Sequence, residues 1–138
     1  MMPKIFRILF CLVVVAFAPQ AWAETQIVKI NTSIGAIELE LFPERAPITV
    51  ANFLRYVEAG KYDGGSFYRV VRMDNQAQNN IKIEVIQGGR GIEEAEGNFS
   101  PITHETTKQT GLRHEDGTIS MARLAPGTAS SEFFICIG

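Results

Sequence analysis

The chain has 138 residues, 46% of them hydrophobic and 20% charged, with a formal net charge of −2. That length suits one domain rather than two. A mildly acidic chain with scattered signs argues against nucleic acid as a partner.

The N-terminus is basic, then apolar, then small. Lys4 and Arg7 carry the charge, Ile8 to Ala18 is an almost wholly apolar run, and Ala21-Trp22-Ala23 has a small-x-small form. The run is too short for a membrane span and reads as an export signal covering residues 1–23. A short N-terminal anchor is the competing reading. Cys11 lacks the small residues that precede a lipid-modified cysteine. Removing twenty-three of the 138 residues leaves 115, from Glu24 to Gly138, with eleven bases against fifteen acids. The expected location is exported, with a periplasm as destination and no membrane association once the signal is cleaved. Cys136 is then the remaining cysteine, so no internal disulfide can form.

Gln26 to Asn31 and Ala36 to Phe42 alternate as strands around the turn Thr32-Ser33-Ile34-Gly35. Ile37, Leu39 and Leu41 share one face, opposite Glu38 and Glu40, so this is a hairpin with one wet face. Pro43 stops the second strand and Pro47 sits where a helix can begin. Val50, Phe53, Leu54 and Val57 recur at helical spacing, which predicts a helix from Ile48 to Ala59 with Gly60 as its stop.

Ser66 to Val71 is rich in aromatic and β-branched residues and reads as a strand. Simple alternation puts Phe67, Arg69 and Val71 on one face, and Tyr68 and Val70 on the other. Arg69 is then either an edge-strand arginine reaching water by its tip or a guanidinium held rigidly toward a ligand. Arg72 to Asn80 is polar and aperiodic, which reads as a solvated loop. Ile81 to Gln87 reads as the next strand, with Gln87 either a ligand contact or an ordinary strand-end residue.

Gly88 to Ser100 is glycine-rich, yet its acids would repel phosphate and no helix start follows. His104-Glu105 opens like a zinc protease motif, but position 108 is Lys108 rather than histidine. With His114 ten residues away, no metal site is expected, and both histidines read as surface residues. No serine sits in a Gly-x-Ser-x-Gly turn, and Cys136 has no evident base. Thr118 to Ala122 and Glu132 to Ile137 are the last strands, flanking a loop from Leu124 to Ser131. Phe133, Ile135 and Ile137 face one way and Phe134 and Cys136 the other, so the final strand should be covered on both sides. Many short strands with one helix predict a mainly β barrel or sandwich.

Four segments together resemble the cyclophilins. They are Leu41 to Phe53, Phe67-Tyr68-Arg69-Val70-Val71, Val85-Ile86-Gln87-Gly88-Gly89, and Gly117 to Arg123 followed by Ser131 to Cys136. The resemblance implies a cyclophilin-like antiparallel β-barrel with a capping helix, and peptidyl-prolyl cis–trans isomerase activity on proline-containing unfolded or extended polypeptides. By position it implies Arg69 as the catalytic arginine and Gln87 as the groove glutamine. Ala122 and Arg123 fall where the peptide meets backbone, and Phe134 falls in the proline pocket. It implies no cofactor, since no bond is broken and neither nucleophile nor metal is required.

Three features depart from the family. The Arg72–Asn80 loop is longer than the usual connection. Glu84 stands where a pocket phenylalanine is usual, and would either weaken the pocket or pair with Arg69. The family also continues beyond the position of Gly138, so residues 24–138 are expected to be a partial domain, with a barrel incomplete at its C-terminus and an open sheet edge. A non-catalytic proline-peptide binder or an inactive fragment is the competing reading.

Overall fold

The computed structural model describes residues 25–91 and 96–138. The expected export signal, and part of the glycine-rich stretch after Gly91, lie outside the described residues. The described chain is mainly β. Its elements are β1 (Gln26–Thr32), β2 (Gly35–Leu41), α1 (Pro47–Glu58), β3 (Ser66–Val71), β4 (Val85–Gly89), a one-turn α2 (Thr107–Thr110), β5 (Ile119–Met121) and β6 (Phe133–Cys136). The strands form an antiparallel pair, β1-β2, and a four-stranded sheet ordered β3-β4-β6-β5. All pairings are antiparallel, and the two sheets do not close into a barrel.

The hairpin follows its alternation. Val28 pairs with Leu39 and Ile30 with Ile37, and these side chains meet the main core while Glu38 and Glu40 face water. That core joins Leu39, Leu41, Val50, Phe53, Met121 and Phe133. Phe67 and Tyr62 also meet the Phe133 ring, both edge-on. Gly88 lies beneath Phe67, where a Cβ would come within 2.8 Å of the ring. Glycine is therefore what lets β3 and β4 pack this face closely.

Helix α1 starts at Pro47, one residue before the expected Ile48, and Ala46 gives its N-terminus no side-chain cap. The cap comes from far along the chain: Glu105 accepts the backbone N–H of Ile48 at 3.1 Å and of Thr49 at 2.7 Å. A carboxylate there meets two unpaired donors and the positive end of the helix dipole. Glu105, the second residue of an incomplete metal motif in the sequence, is a helix cap. The C-terminus closes on Gly60 at φ +63°, with Gly60 N–H to Val57 O and Lys61 N–H to Tyr56 O, a Schellman arrangement.

The buried face of α1 differs from the expected one. Val57 is 37% exposed, whereas Asn52 and Tyr56 are buried. Both serve a polar seam. Asn52 Nδ2 donates to Ser130 O at 2.7 Å, and Tyr56 Oη lies 2.8 Å from Ser130 Oγ. Phe99 N–H donates to Tyr56 Oη at 2.8 Å, and Ser130 Oγ donates to Phe99 O at 2.9 Å. Arg55 covers the Phe99 ring from 4.1 Å, a cation–π contact that closes the seam from outside.

The strand expected from Ile81 begins only at Val85. The cause is Gln76, which is 1% exposed. Its Nε2 donates to Arg72 O at 2.8 Å and to Ile83 O at 2.5 Å, and its Oε1 accepts Ile83 N–H at 3.1 Å. One side-chain amide takes both backbone groups of Ile83, so they are not available to a neighbouring strand. The polar loop after Val71 is thus stitched to itself rather than solvated throughout.

Candidate active site

Registry assembles the site. In the four-stranded sheet Arg69 pairs with Gln87, Gln87 with Phe134, and Phe134 with Ser120. Directly opposed residues of a sheet project to the same face, so these four form one row. The adjacent row on that face is Val71, Val85 and Cys136, all buried, with Phe134 packed against them. The row on the other side carries Gly89 and Glu132, and Ala122 N–H donates to Glu132 O at 2.8 Å. The sheet thus offers a polar strip beside an apolar one.

Alternation in β3 is broken between Phe67 and Arg69, where the register shifts. Tyr68 is the extra residue of a β-bulge, which lets neighbours serve the same partner. Arg69 Nη1 donates to Gln87 Oε1 at 3.0 Å, and Gln87 Nε2 donates to Tyr68 Oη at 2.9 Å. Tyr68 Oη in turn donates to Glu132 Oε2 at 2.7 Å. Burial first, and then this bond to Glu132, push the Tyr68 hydroxyl up to about 12. The simple alternation expected for the strand is therefore corrected: Phe67 turns into the main core, while Tyr68 and Arg69 both reach Gln87.

A cleft of about 990 Å³ runs over this face. Its wall contains Arg69, Gln87, Ala122, Arg123 and Phe134, so the five residues singled out in the sequence line one space. Ile83 and Val85 line it as well, and Glu84 does not. The apolar lining thus comes from the neighbours of Glu84, and no ion pair joins Glu84 to Arg69. His114 is exposed, as expected of a surface histidine, and its ring lies 5.5 Å from Phe134 on the rim of the cleft. The cleft continues past β5 to Leu39 and Phe53 of the main core. Burial, with Asp116 as a lesser influence, raises the Cys136 thiol above its usual range, which disfavours the thiolate a nucleophile needs. Among the described residues no cluster of histidine, cysteine and acid could hold a metal ion.

Sequence reasoning missed Tyr68, Glu132, Ile83 and His114. Tyr68 was hidden because the bulge reverses its parity. Glu132 was findable, since it shares a face with Phe134 two residues on.

The sequence of this chain has counterparts among known proteins. A family model described as cyclophilin type peptidyl-prolyl cis-trans isomerase/CLD matches residues 27–138. The chain belongs to that family. It is 40% identical over 111 residues to a peptidyl-prolyl cis-trans isomerase of Streptomyces antibioticus, covering 78% of this chain and 60% of the relative. It is 37% identical over 122 residues to peptidyl-prolyl cis-trans isomerase A of Dickeya dadantii, covering 87% of this chain and 59% of the relative. A peptidyl-prolyl cis-trans isomerase-like protein of Bos taurus is 31% identical over 122 residues, with 88% and 69% covered. The chain thus spans about three-fifths of the length of the first two relatives. Among the described residues no helix is long and apolar enough to cross a membrane.

Proposed function

We propose that this protein is a peptidyl-prolyl cis–trans isomerase acting on X-Pro bonds of unfolded or extended polypeptides. Family membership supports the reaction class. The observation that carries the reading is Arg69, held by Gln87 at 3.0 Å on the rim of a cleft that also contains Phe134.

The chemistry asks for little more. Rotation about a peptide C–N bond is opposed by amide resonance, with a barrier of ~18–20 kcal/mol. For X-Pro the isomers are nearly balanced, and exchange is slow for kinetic reasons alone. As the amide twists, the proline nitrogen loses conjugation and regains a lone pair. An N–H of Arg69 placed there donates more strongly to the twisted form than to the planar one, which lowers the barrier. Gln87 occupies one guanidinium N–H, and the others remain for the substrate. Phe134, with Ile83 and Val85, supplies an apolar seat for the pyrrolidine ring. The backbone at Ala122 and Arg123 holds the flanking peptide in extended form. The basic-apolar-small pattern of residues 4–23 supports export, with folding of exported proteins as the role.

The test is exchange of an Ala-Pro peptide, followed by NMR or a protease-coupled assay. Arg69→Ala should lower kcat/KM by about 10²-fold, the usual loss of one transition-state donor. A variant that still binds peptide and exchanges it at the unchanged rate would favour a non-catalytic binder.

A further inference from the structure

The hydrogen bonds around Arg69 form a chain with a direction. Glu132 stands at its far end, and an ionised carboxylate can only accept. Tyr68 must therefore donate to it, at 2.7 Å. The hydroxyl oxygen is then turned to accept, and Gln87 presents its NH2 group to it, at 2.9 Å. That fixes the amide: Oε1 faces the other way and receives Arg69 Nη1 at 3.0 Å. The reverse orientation would set an NH2 group against the guanidinium, donor against donor.

Glu132 is itself clamped. Its Oε1 accepts Arg90 N–H at 3.1 Å and Ser131 Oγ at 3.0 Å. Gly89 makes room for the carboxylate, since a Cβ there would lie 2.6 Å from Oε2. The bulge that brings Tyr68 beside Arg69 exists on the same strand edge. Bulge, glycine and clamp converge on one outcome, the direction of the Gln87 amide.

We infer that Glu132 and Tyr68 are positioning residues that set the polarity of this chain, so that Gln87 holds the Arg69 guanidinium in its working orientation. The inference rests on the isomerase reading of Arg69. It makes an unusual demand of Glu132→Gln, a change that conserves shape. In that variant the amide oxygen takes over the Arg90 and Ser131 bonds, and its NH2 group donates to Tyr68. Tyr68 no longer has an acceptor there, so its proton is free to turn to Gln87, whose amide then reverses and turns its NH2 group on Arg69. A second substitution, Gln87→Glu, removes that conflict, because a carboxylate accepts from Tyr68 and Arg69 together.

The experiment measures Ala-Pro peptide exchange by the full chain and its variants, with circular dichroism to verify folding. Tyr68→Phe and Glu132→Gln should each lower kcat by about tenfold, a loss of orientation rather than of the donor. Peptide KM should stay within about twofold, because the apolar seat is untouched. The Glu132→Gln/Gln87→Glu double variant should recover most of the lost kcat. If both single variants keep kcat while Arg69→Ala loses it, Glu132 and Tyr68 have no positioning role and the isomerase reading stands. If kcat falls in Glu132→Gln and the double variant recovers nothing, the role is structural and the inference is overturned. If Arg69→Ala itself exchanges peptide normally, the isomerase reading fails, and this inference with it. Should Glu132→Gln fail to fold, Tyr68→Phe alone decides, because removing one hydroxyl leaves the carboxylate and its clamps in place.

Discussion

Two tyrosine-centred networks stand out among the described residues. In the first, Tyr56 is fully buried and its bonds run through Ser130 to the backbone of Phe99. In the second, Tyr68 links Glu132 to Gln87 and then to Arg69, whose guanidinium is exposed. The first network closes on itself, each donor meeting an acceptor inside the protein. The second ends on a cation with N–H groups still turned to a cleft. Closed networks fasten elements together; an open-ended one can spend its last bond on a substrate. Similar side chains serve both ends because their surroundings decide which.

The sharpest way to test that contrast is to cut each network at its tyrosine or its end. Arg69→Ala has the largest expected effect, about 10²-fold in kcat/KM, with thermal stability nearly unchanged because the guanidinium is exposed. Tyr56→Phe should do the opposite. It leaves the half-buried Phe99 N–H without its acceptor and should cost about 1 kcal/mol, read as a lowered denaturation midpoint with kcat of the folded fraction unaltered. If Tyr56→Phe slowed turnover instead, the division between the networks would be wrong.

Glu105→Ala comes next. It uncaps α1 at Ile48 and Thr49 and should destabilise by about 1 kcal/mol, measured by urea unfolding. The smallest effect is on alkaline titration. Tyr68 ionises at about 12, raised by burial and then by Glu132. A raised pKa favours the protonated form in the folded state. Its contribution to stability is therefore complete below the ordinary tyrosine range near 10 and is lost as pH climbs through about 12. Tyr62 is also shifted upward, chiefly by burial, so the two must be separated. Glu132→Gln should lower the Tyr68 transition, and that of Tyr62 to a lesser degree, since Glu132 bonds the Tyr68 hydroxyl but is the least of the causes acting on Tyr62; ultraviolet difference titration reads both.

The sequence pattern made most of the architecture legible and missed what depends on particular side chains. Alternation located the hairpin and both faces of β6, and Pro47 and Gly60 bracketed α1 correctly. Periodicity failed where a side chain displaced a backbone partner. Ile81 to Gln87 alternates like a strand, but Gln76 satisfies the backbone of Ile83 and delays pairing to Val85. Apolar periodicity also chose Val57 over Tyr56 for the buried face of α1, because the seam there is built from hydrogen bonds, which hydropathy does not register. In the site, the family resemblance points to Arg69, Gln87, Ala122, Arg123 and Phe134, and all five line one cleft. Tyr68 is not among them, since a bulge leaves no mark in composition.

The capping of α1 by Glu105 has a consequence for the order in which this protein takes shape. The carboxylate lies 57 residues after the N–H of Ile48 that it receives. During synthesis the helix has its proline start and its glycine stop long before its opening turn has a partner. Until position 105 leaves the ribosome, that first turn can only fray into water. The helix that carries much of the core is therefore finished late, by a residue that belongs to a distant loop.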